Sequence, residues 1–187
     1  MTAIRKELEA NNYVVLEDFI PPQRAKDLYD HFIAHKNEWP ELFHRDDQCP
    51  RSLATYNYKL FLVLLVEKVG YMTDKMGQVM LPTYCYARAY KNGEVLEKHT
   101  DRPACEISVT LHLGGDHTWP IWFTKPDGSK VSCELKPGQA VMYQGMVSEH
   151  WRDAYEGKEY AQVFLHYVKS DGDNWDHYFD KKEKKYE

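Results

Sequence analysis

Hydrophobic positions in the first third of the chain recur mainly at helical spacing. Residues 13–16 are rich in β-forming side chains and predict one short strand, after which Pro21 and Pro22 favour the start of a helix. Residues 60–69 are apolar with charged flanks, and their length favours another helix over a buried strand. The helix after Pro22 is predicted from apolar residues three and four positions apart, at Ala25, Leu28, Tyr29, Phe32 and Ile33.

From residue 81 onward the pattern changes to alternation. Over residues 84–90, tyrosine and arginine side chains alternate with small ones, as in a strand with two different faces. Asn-Gly, Gly-Gly, Pro-Asp-Gly and Pro-Gly turn signals separate the later segments, a spacing typical of a β-sandwich or barrel. We therefore predict a mainly β fold, a jelly roll with supporting N-terminal helices. Further strands are predicted at residues 107–113, 119–123, 132–135, 140–143 and 161–168.

The chain is predicted to form one domain over residues 1–187. We expect helical support over about residues 1–80 and the β core over about residues 81–169. The charged segment from about residue 170 to 187 is expected to fray from the fold as a solvated tail.

Composition and charge disfavour several classes of protein. Apolar residues make up 43% of the chain, enough for a core, yet the longest apolar run, residues 60–66, is too short to span a membrane. The net charge of −5 disfavours nucleic acid and anionic membranes as partners. The four cysteines lack metal-ligand spacing, and the N-terminus lacks a secretory signal. We predict buried thiols and a cytoplasmic location, and oligomeric state stays open.

Three residues in the β-rich part carry the candidate chemistry. His99 and Asp101 lie two apart in an extended segment, so both side chains face the same side, and His150 is the third candidate. Two imidazoles and one carboxylate with open positions are typical of non-haem iron(II) oxygenases, because a cosubstrate and O₂ can then reach the metal. We predict that these three residues are the metal ligands and the catalytic centre. A surface histidine beside a turn aspartate is the alternative.

Several motifs around these residues point to one family. They are Tyr90-x-x-Gly93, His99-x-Asp101, the strand at residues 108–113, Lys136-Pro137-Gly138, His150 and the opening segment at residues 16–22. In these motifs the chain resembles the Fe(II)/2-oxoglutarate-dependent dioxygenases, specifically their prolyl 4-hydroxylase-like branch. The resemblance implies a cupin-like double-stranded β-helix that holds Fe(II) through the three predicted ligands.

The resemblance also implies a reaction. Fe(II), 2-oxoglutarate and O₂ are the expected cofactor and cosubstrates, with hydroxylation of a substrate C–H bond and release of succinate and CO₂. The acceptor is expected to be either a peptidyl residue such as proline or a free amino acid or other small metabolite. Residues 43–52 are expected to contact it at the mouth of the barrel.

The arginine or lysine that such enzymes use for the distal carboxylate of 2-oxoglutarate is missing from its expected place. Residues 159–162 read Glu-Tyr-Ala-Gln there. A buried dianion still needs a cation, and we predict that Arg152, two residues beyond His150 in the same strand, supplies it. Further predicted cosubstrate contacts are Arg88, Tyr90 and His112, with Arg102 and Lys158 as weaker candidates.

Ordinary structural roles for these residues stay open. Arg152 could pair with Asp153 or Glu149 at the surface, and Arg88 could pair with Glu106. The missing arginine also supports a second hypothesis, a metal-holding jelly roll that binds a small molecule without oxidising it. Residues that could be part of the core are Tyr90, His112 and, as the favoured interpretation, His166.

Overall fold

Helices cover one side of a structure built from two β-sheets. The computed structural model describes residues 1–180. Its α-helices are Ala3–Asn11 (α1), Pro22–Glu38 (α2), Lys59–Glu67 (α3) and Val69–Met76 (α4). Its strands are Tyr13–Leu16 (β1), His44–Asp46 (β2), Cys49–Tyr56 (β3), Met80–Lys91 (β4), Leu96–His99 (β5), Ile107–Gly115 (β6), Ile121–Thr124 (β7), Lys130–Cys133 (β8), Ala140–Tyr143 (β9), His150–Arg152 (β10) and Glu159–Lys169 (β11).

All strand pairs are antiparallel, and they form a large and a small sheet. The large sheet has the order β1-β9-β6-β11-β4-β3-β2, and the small sheet has the order β5-β10-β7-β8. The mainly β fold with N-terminal helices, predicted from the sequence, is confirmed. The Asn92-Gly93 turn signal ends β4 as predicted, and Gly93 has a φ of 76°, which favours glycine.

The two faces of the large sheet differ in character. Odd-numbered residues of its central strands, such as Ala87, Val109 and Val163, belong to the apolar core that includes the helices. Even-numbered residues, such as Arg88 and His166, line a cavity that also involves the small sheet. Because side chains alternate across a strand, one pattern supplies both the core and a polar interior between the sheets.

The N-terminal part contains more strand than predicted. Residues 44–46 and 49–56, expected within the helical support and the loop at the mouth, form the hairpin β2–β3. The hairpin adds to the edge of the large sheet, where Ala54 pairs with Arg88. Because this pairing joins segments far apart in sequence, local periodicity gave no sign of it. The helix predicted over residues 60–69 forms but is interrupted at Lys68.

Part of the C-terminal segment is structured, whereas the whole of it was predicted to fray from the fold. Trp175–Asp180 form a 3₁₀ segment, and the carboxylate of Asp180 accepts hydrogen bonds from Arg102 and Tyr56. The rest of the predicted tail, residues 181–187, lies outside the described residues.

Two further predictions concern membranes and thiols. Within residues 1–180, no helix has the length and apolar character needed to cross a bilayer. All four cysteines are free and buried, as predicted.

Candidate metal centre

Strand pairing brings the three predicted metal ligands together. His99 ends β5 and His150 begins β10, and the two residues are direct partners in the antiparallel ladder. Their Nε2 atoms each lie 3.7 Å from Oδ1 of Asp101. The donor atoms of the three residues all lie within 4.8 Å of one another. Such a set of two imidazoles and one carboxylate fits a divalent transition metal, and its role as a ligand set stays a prediction.

Backbone carbonyls orient both imidazoles. Nδ1 of His99 lies 2.7 Å from the carbonyl oxygen of Glu97, and Nδ1 of His150 lies 3.0 Å from that of Ser148. A carbonyl only accepts, so each Nδ1 carries the proton and each Nε2 presents a lone pair. The side-chain nitrogen of Gln48 lies 3.3 Å from Nε2 of His99 and donates to that lone pair, so a metal would displace this contact. Burial, the largest cause, lowers the pKa of His150, which favours the neutral form that a metal needs.

Asp101 is held by the loop that follows β9 and by β6. Its backbone N–H donates to the carbonyl of Gly145 over 2.8 Å, and its Oδ2 accepts from the Ser108 hydroxyl over 3.0 Å. A Cβ on Gly145 would lie 2.7 Å from that Oδ2 and 2.1 Å from the carbonyl oxygen of Cys105. Glycine is therefore required here, and Oδ1 remains directed toward the two imidazoles.

A cavity of about 370 Å³ adjoins the triad. Its wall includes the triad itself and side chains from both sheets and from the β2–β3 hairpin. Two of the four predicted cosubstrate contacts, Arg88 and Tyr90, are among the residues that line it. The others include Asp46, Gln48, Tyr56, Tyr84, Tyr86, Arg102, Tyr143, Phe164 and His166.

Arg152 lies between the two sheets. Its side chain and that of His150 are buried, whereas Trp151 between them is partly exposed, so both point inward from β10. Its guanidinium donates to the backbone carbonyl of Trp119 and, over 3.4 Å, to the side-chain oxygen of Gln162 on β11. The surface pairs considered for Arg152 do not form.

The charge of Arg152 has no counterion in the part of the chain that the structure describes. Among the described residues, no carboxylate forms an ion pair with it, and its Nε has no hydrogen-bond partner. Nδ1 of His112 is likewise buried without a partner. Burial, followed by the charge of Arg152, lowers the pKa of His112 to about 3, so this imidazole is neutral. Because a buried, unpaired cation is costly, this arrangement fits an anionic ligand between the sheets.

Arg88 has its own counterion. The guanidinium donates to the carboxylate of Asp46, to the Gln48 side chain over 3.2 Å and to the Tyr90 hydroxyl over 3.3 Å. It does not pair with Glu106, which binds Lys169 at 2.9 Å instead. Arg88 therefore joins the β2–β3 hairpin to the cavity wall.

Two polar residues of the site were not predicted. Gln162 donates to the Thr110 hydroxyl over 2.5 Å and accepts from Arg152, so it links the large sheet to that cation. The sequence signal that could have identified Gln162 was its position, because it is one of the four residues that stand where the arginine was expected. Ser108 contacts both Asp101 and Nδ1 of His166, which lies 2.9 Å away.

The remaining candidates fall in different places. His166 is buried, as predicted, but it also lines the cavity. Arg102 lines the mouth of the cavity, where Asp180 pairs with it. The side chain of Lys158 is exposed on the surface, and its backbone N–H donates to Asp116. Of the two weaker candidates, only Arg102 is therefore close to the triad.

Comparison with known proteins identifies the fold. No family model and no curated protein sequence matches the chain. Among solved structures, a prolyl-4-hydroxylase from Pseudomonas putida matches with a TM-score of 0.71 and 13% identity, over 89% of this chain and 97% of that one. The alpha-ketoglutarate-dependent epimerase SnoN from nogalamycin biosynthesis matches with a TM-score of 0.71 and 8% identity, over 89% and 82%.

A third match was solved with a metal and cosubstrate bound. HygX from Streptomyces hygroscopicus, with nickel and 2-oxoglutarate, has a TM-score of 0.68 and 9% identity, over 91% of this chain and 88% of that one. At these identities the likeness concerns the fold. The chain therefore has the double-stranded β-helix fold of the 2-oxoglutarate- and iron(II)-dependent oxygenases, as its sequence motifs predicted.

Proposed function

We propose that this protein is an Fe(II)- and 2-oxoglutarate-dependent oxygenase. One juxtaposition supports this function: strand β10 carries both His150, a member of the triad of metal donors, and Arg152, a buried arginine without a counterion among the described residues, and both side chains point inward. The triad fits a metal with open positions, and the arginine fits an anionic cosubstrate. Neither feature has an evident structural use on its own.

His99, Asp101 and His150 would hold the metal. The protonated Nδ1 atoms of the two histidines donate to backbone carbonyls, and the Ser108 hydroxyl donates to Oδ2 of Asp101. The metal donors would therefore be Nε2 of each histidine and Oδ1 of Asp101. Three protein ligands leave the other positions open to cosubstrate and O₂. When bound, Fe(II) and 2-oxoglutarate would enable O₂ to oxidise a substrate C–H bond, with release of succinate and CO₂.

Arg152, Gln162 and His112 would hold the distal carboxylate of 2-oxoglutarate. Arg152 supplies the charge, whereas His112 is neutral, its ring N–H donates to the backbone carbonyl of Ala161, and it would line the pocket beside the carboxylate. The ring of Trp119 lies 4.8 Å from the Arg152 guanidinium and keeps water from it, which strengthens its attraction for an anion. We assign Tyr90 and Arg88 to the wall of this pocket, nearer the metal.

Hydroxylation of a small molecule or of a peptidyl residue such as proline is the reaction we propose. The same fold serves the epimerase among the similar structures. The substrate would enter past the β2–β3 hairpin, whose residues Asp46 and Gln48 line the cavity. We also propose that nucleic acid is not a substrate, because the net charge is −5.

The first test is anaerobic titration of 2-oxoglutarate into the Fe(II)-loaded protein. A weak visible charge-transfer band is expected, followed by succinate formation when O₂ is admitted. Asp101→Ala is expected to lower metal affinity by about 100-fold or more, because one of three ligands and the only anionic one is lost. Asp74→Asn, an exposed position on α4, serves as the matched control and should behave as the unchanged protein.

Two results would contradict the proposal. Undiminished succinate formation by Asp101→Ala would exclude the triad as the metal site. A band that forms without any succinate, across a screen of free amino acids and proline-containing peptides, would favour the small-molecule binding module instead.

A further inference from the structure

The mouth of the cavity contains a second, preformed site for a carboxylate. Arg102 directly follows the proposed ligand Asp101 and lines the cavity. Its guanidinium carbon lies 4.4 Å from the centre of the Tyr84 ring, and that ring stacks on Tyr56 at 4.9 Å. The guanidinium therefore lies over one ring of a stacked tyrosine pair.

The chain's own Asp180 fills this site. Oδ1 of Asp180 accepts from one guanidinium nitrogen over 2.9 Å, and Oδ2 accepts from the other and from the Tyr56 hydroxyl. Two parallel N–H donors and one O–H thus converge on a single carboxylate. This bidentate geometry is the one by which arginine recognises a planar carboxylate.

The segment that carries Asp180 buries little of its apolar side-chain surface. Its aromatic side chains are exposed, with Trp175 at 60%, Tyr178 at 43% and Phe179 at 39%, so little apolar burial holds it in place. Phe179 and Asp180 also have positive φ values of 54° and 34°, a region that non-glycine residues rarely adopt. The Asp180 carboxylate is nonetheless almost completely buried, with 5% of its side chain exposed.

Resting on the function proposed above, we infer that Arg102 and Tyr56 bind a carboxylate of the primary substrate, which displaces Asp180. The substrate class is then a small molecule that carries a carboxylate. The cavity volume of about 370 Å³ supports this class, since it lies at the small end of ligand pockets. Arg88 is a less suitable anchor, because Asp46, Gln48 and Tyr90 already accept hydrogen bonds from its two terminal nitrogens and Asp46 balances its charge.

The test uses 4-fluorobenzoate as the probe and 4-fluorobenzamide as its uncharged counterpart. The full chain is loaded with Zn(II) and 2-oxoglutarate, so that the proposed metal and cosubstrate sites are filled and no turnover occurs. Binding is followed by ¹⁹F NMR. Asp180→Ala is expected to bind the benzoate about tenfold more tightly than the unchanged protein, because the competing carboxylate is gone. Asp176→Ala removes the same charge from an exposed position in the same segment and should bind like the unchanged protein.

The role of the guanidinium is tested in the Asp180→Ala background. Adding Arg102→Gln should abolish the gain, and Arg102→Lys should restore only part of it because lysine lacks the planar fork. The benzamide should bind all variants alike. Equal benzoate affinity with and without Asp180, a gain that survives Arg102→Gln, or no benzoate binding by Asp180→Ala would each overturn the inference.

A failure of this inference is distinguishable from a failure of the proposed function. The Fe(II) and 2-oxoglutarate charge-transfer band is measured on the same variants. If the band forms in all of them and the benzoate results are negative, only the carboxylate site is wrong. If the band forms in none, including the unchanged protein, the proposed oxygenase function is wrong.

Discussion

Arg88 and Arg152 are both buried on the inner side of the sheets, but their charges are balanced differently. Arg88 pairs with the carboxylate of Asp46. Among the described residues, Arg152 donates hydrogen bonds only to neutral oxygens, those of Trp119 and Gln162. A balanced arginine contributes to the fold, whereas an unbalanced one costs free energy until an anion arrives. The comparison supports a mainly structural role for Arg88 and the proposed binding of an anionic ligand by Arg152.

The largest expected effect is that of Arg152→Gln on cosubstrate binding. We expect the affinity for 2-oxoglutarate to fall by about 100-fold, near 3 kcal/mol, because a buried carboxylate would lose its cation. Affinity for the metal should not change. Without 2-oxoglutarate, the free energy of unfolding should stay the same or rise, because an uncompensated buried charge is removed.

Anaerobic 2-oxoglutarate titration and urea unfolding measure these quantities. A large loss of stability with an unchanged 2-oxoglutarate affinity would reverse the roles assigned to the two arginines.

Arg88→Gln should have the opposite profile. We expect the free energy of unfolding to fall by about 2 kcal/mol, less than for a fully buried pair because the side chain of Asp46 is 27% exposed. The affinity for 2-oxoglutarate should change by less than about tenfold. Asp46→Asn is the matched variant. The double variant should lose less free energy of unfolding than the two single variants together, because both single variants remove the same ion pair. Additive losses in urea unfolding would show that the pair is not coupled.

His112 provides a pH-dependent test of the interior around Arg152. Burial lowers its pKa from the ordinary value of 6.5 to about 3 in the folded protein. Between these pH values the unfolded chain binds a proton at His112 that the folded protein does not bind. The contribution of neutral His112 to the free energy of unfolding is therefore fully present above pH 6.5 and is lost as the pH falls. Relative to His112→Asn, the unchanged protein should lose about 1–2 kcal/mol more between pH 7 and pH 5. Parallel pH profiles of unfolding would contradict a buried neutral His112.

The smallest expected effect is that of Gln162→Glu. The new carboxylate would lie beside Arg152 and balance its charge, so the protein without 2-oxoglutarate should gain about 1 kcal/mol of stability. The same carboxylate should compete with 2-oxoglutarate and weaken its binding. Gln162→Leu serves as the control, since it removes the amide without supplying charge. Thermal unfolding with and without 2-oxoglutarate distinguishes the two outcomes.

Sequence patterns were sufficient where the information is local. Alternation over residues 84–90 and 107–113 predicted strands of the large sheet, and turn signals such as Asn92-Gly93 marked their ends. The spacing of His99 and Asp101 placed two donors on one side of an extended segment for the same reason. The β2–β3 hairpin was missed, because its stability comes from pairing with β4 rather than from its own periodicity.

The sequence by itself determined the alternating strands, the helix after Pro22 and the types of donor available for a metal, since each depends on residues a few positions apart. Only the tertiary structure decided which of the candidate arginines pair with a carboxylate. Arg152 reaches Gln162 from the other sheet, and Asp180 reaches Arg102 from the end of the described chain. Burial and charge balance are properties of packed surroundings, so no local pattern could assign these contacts.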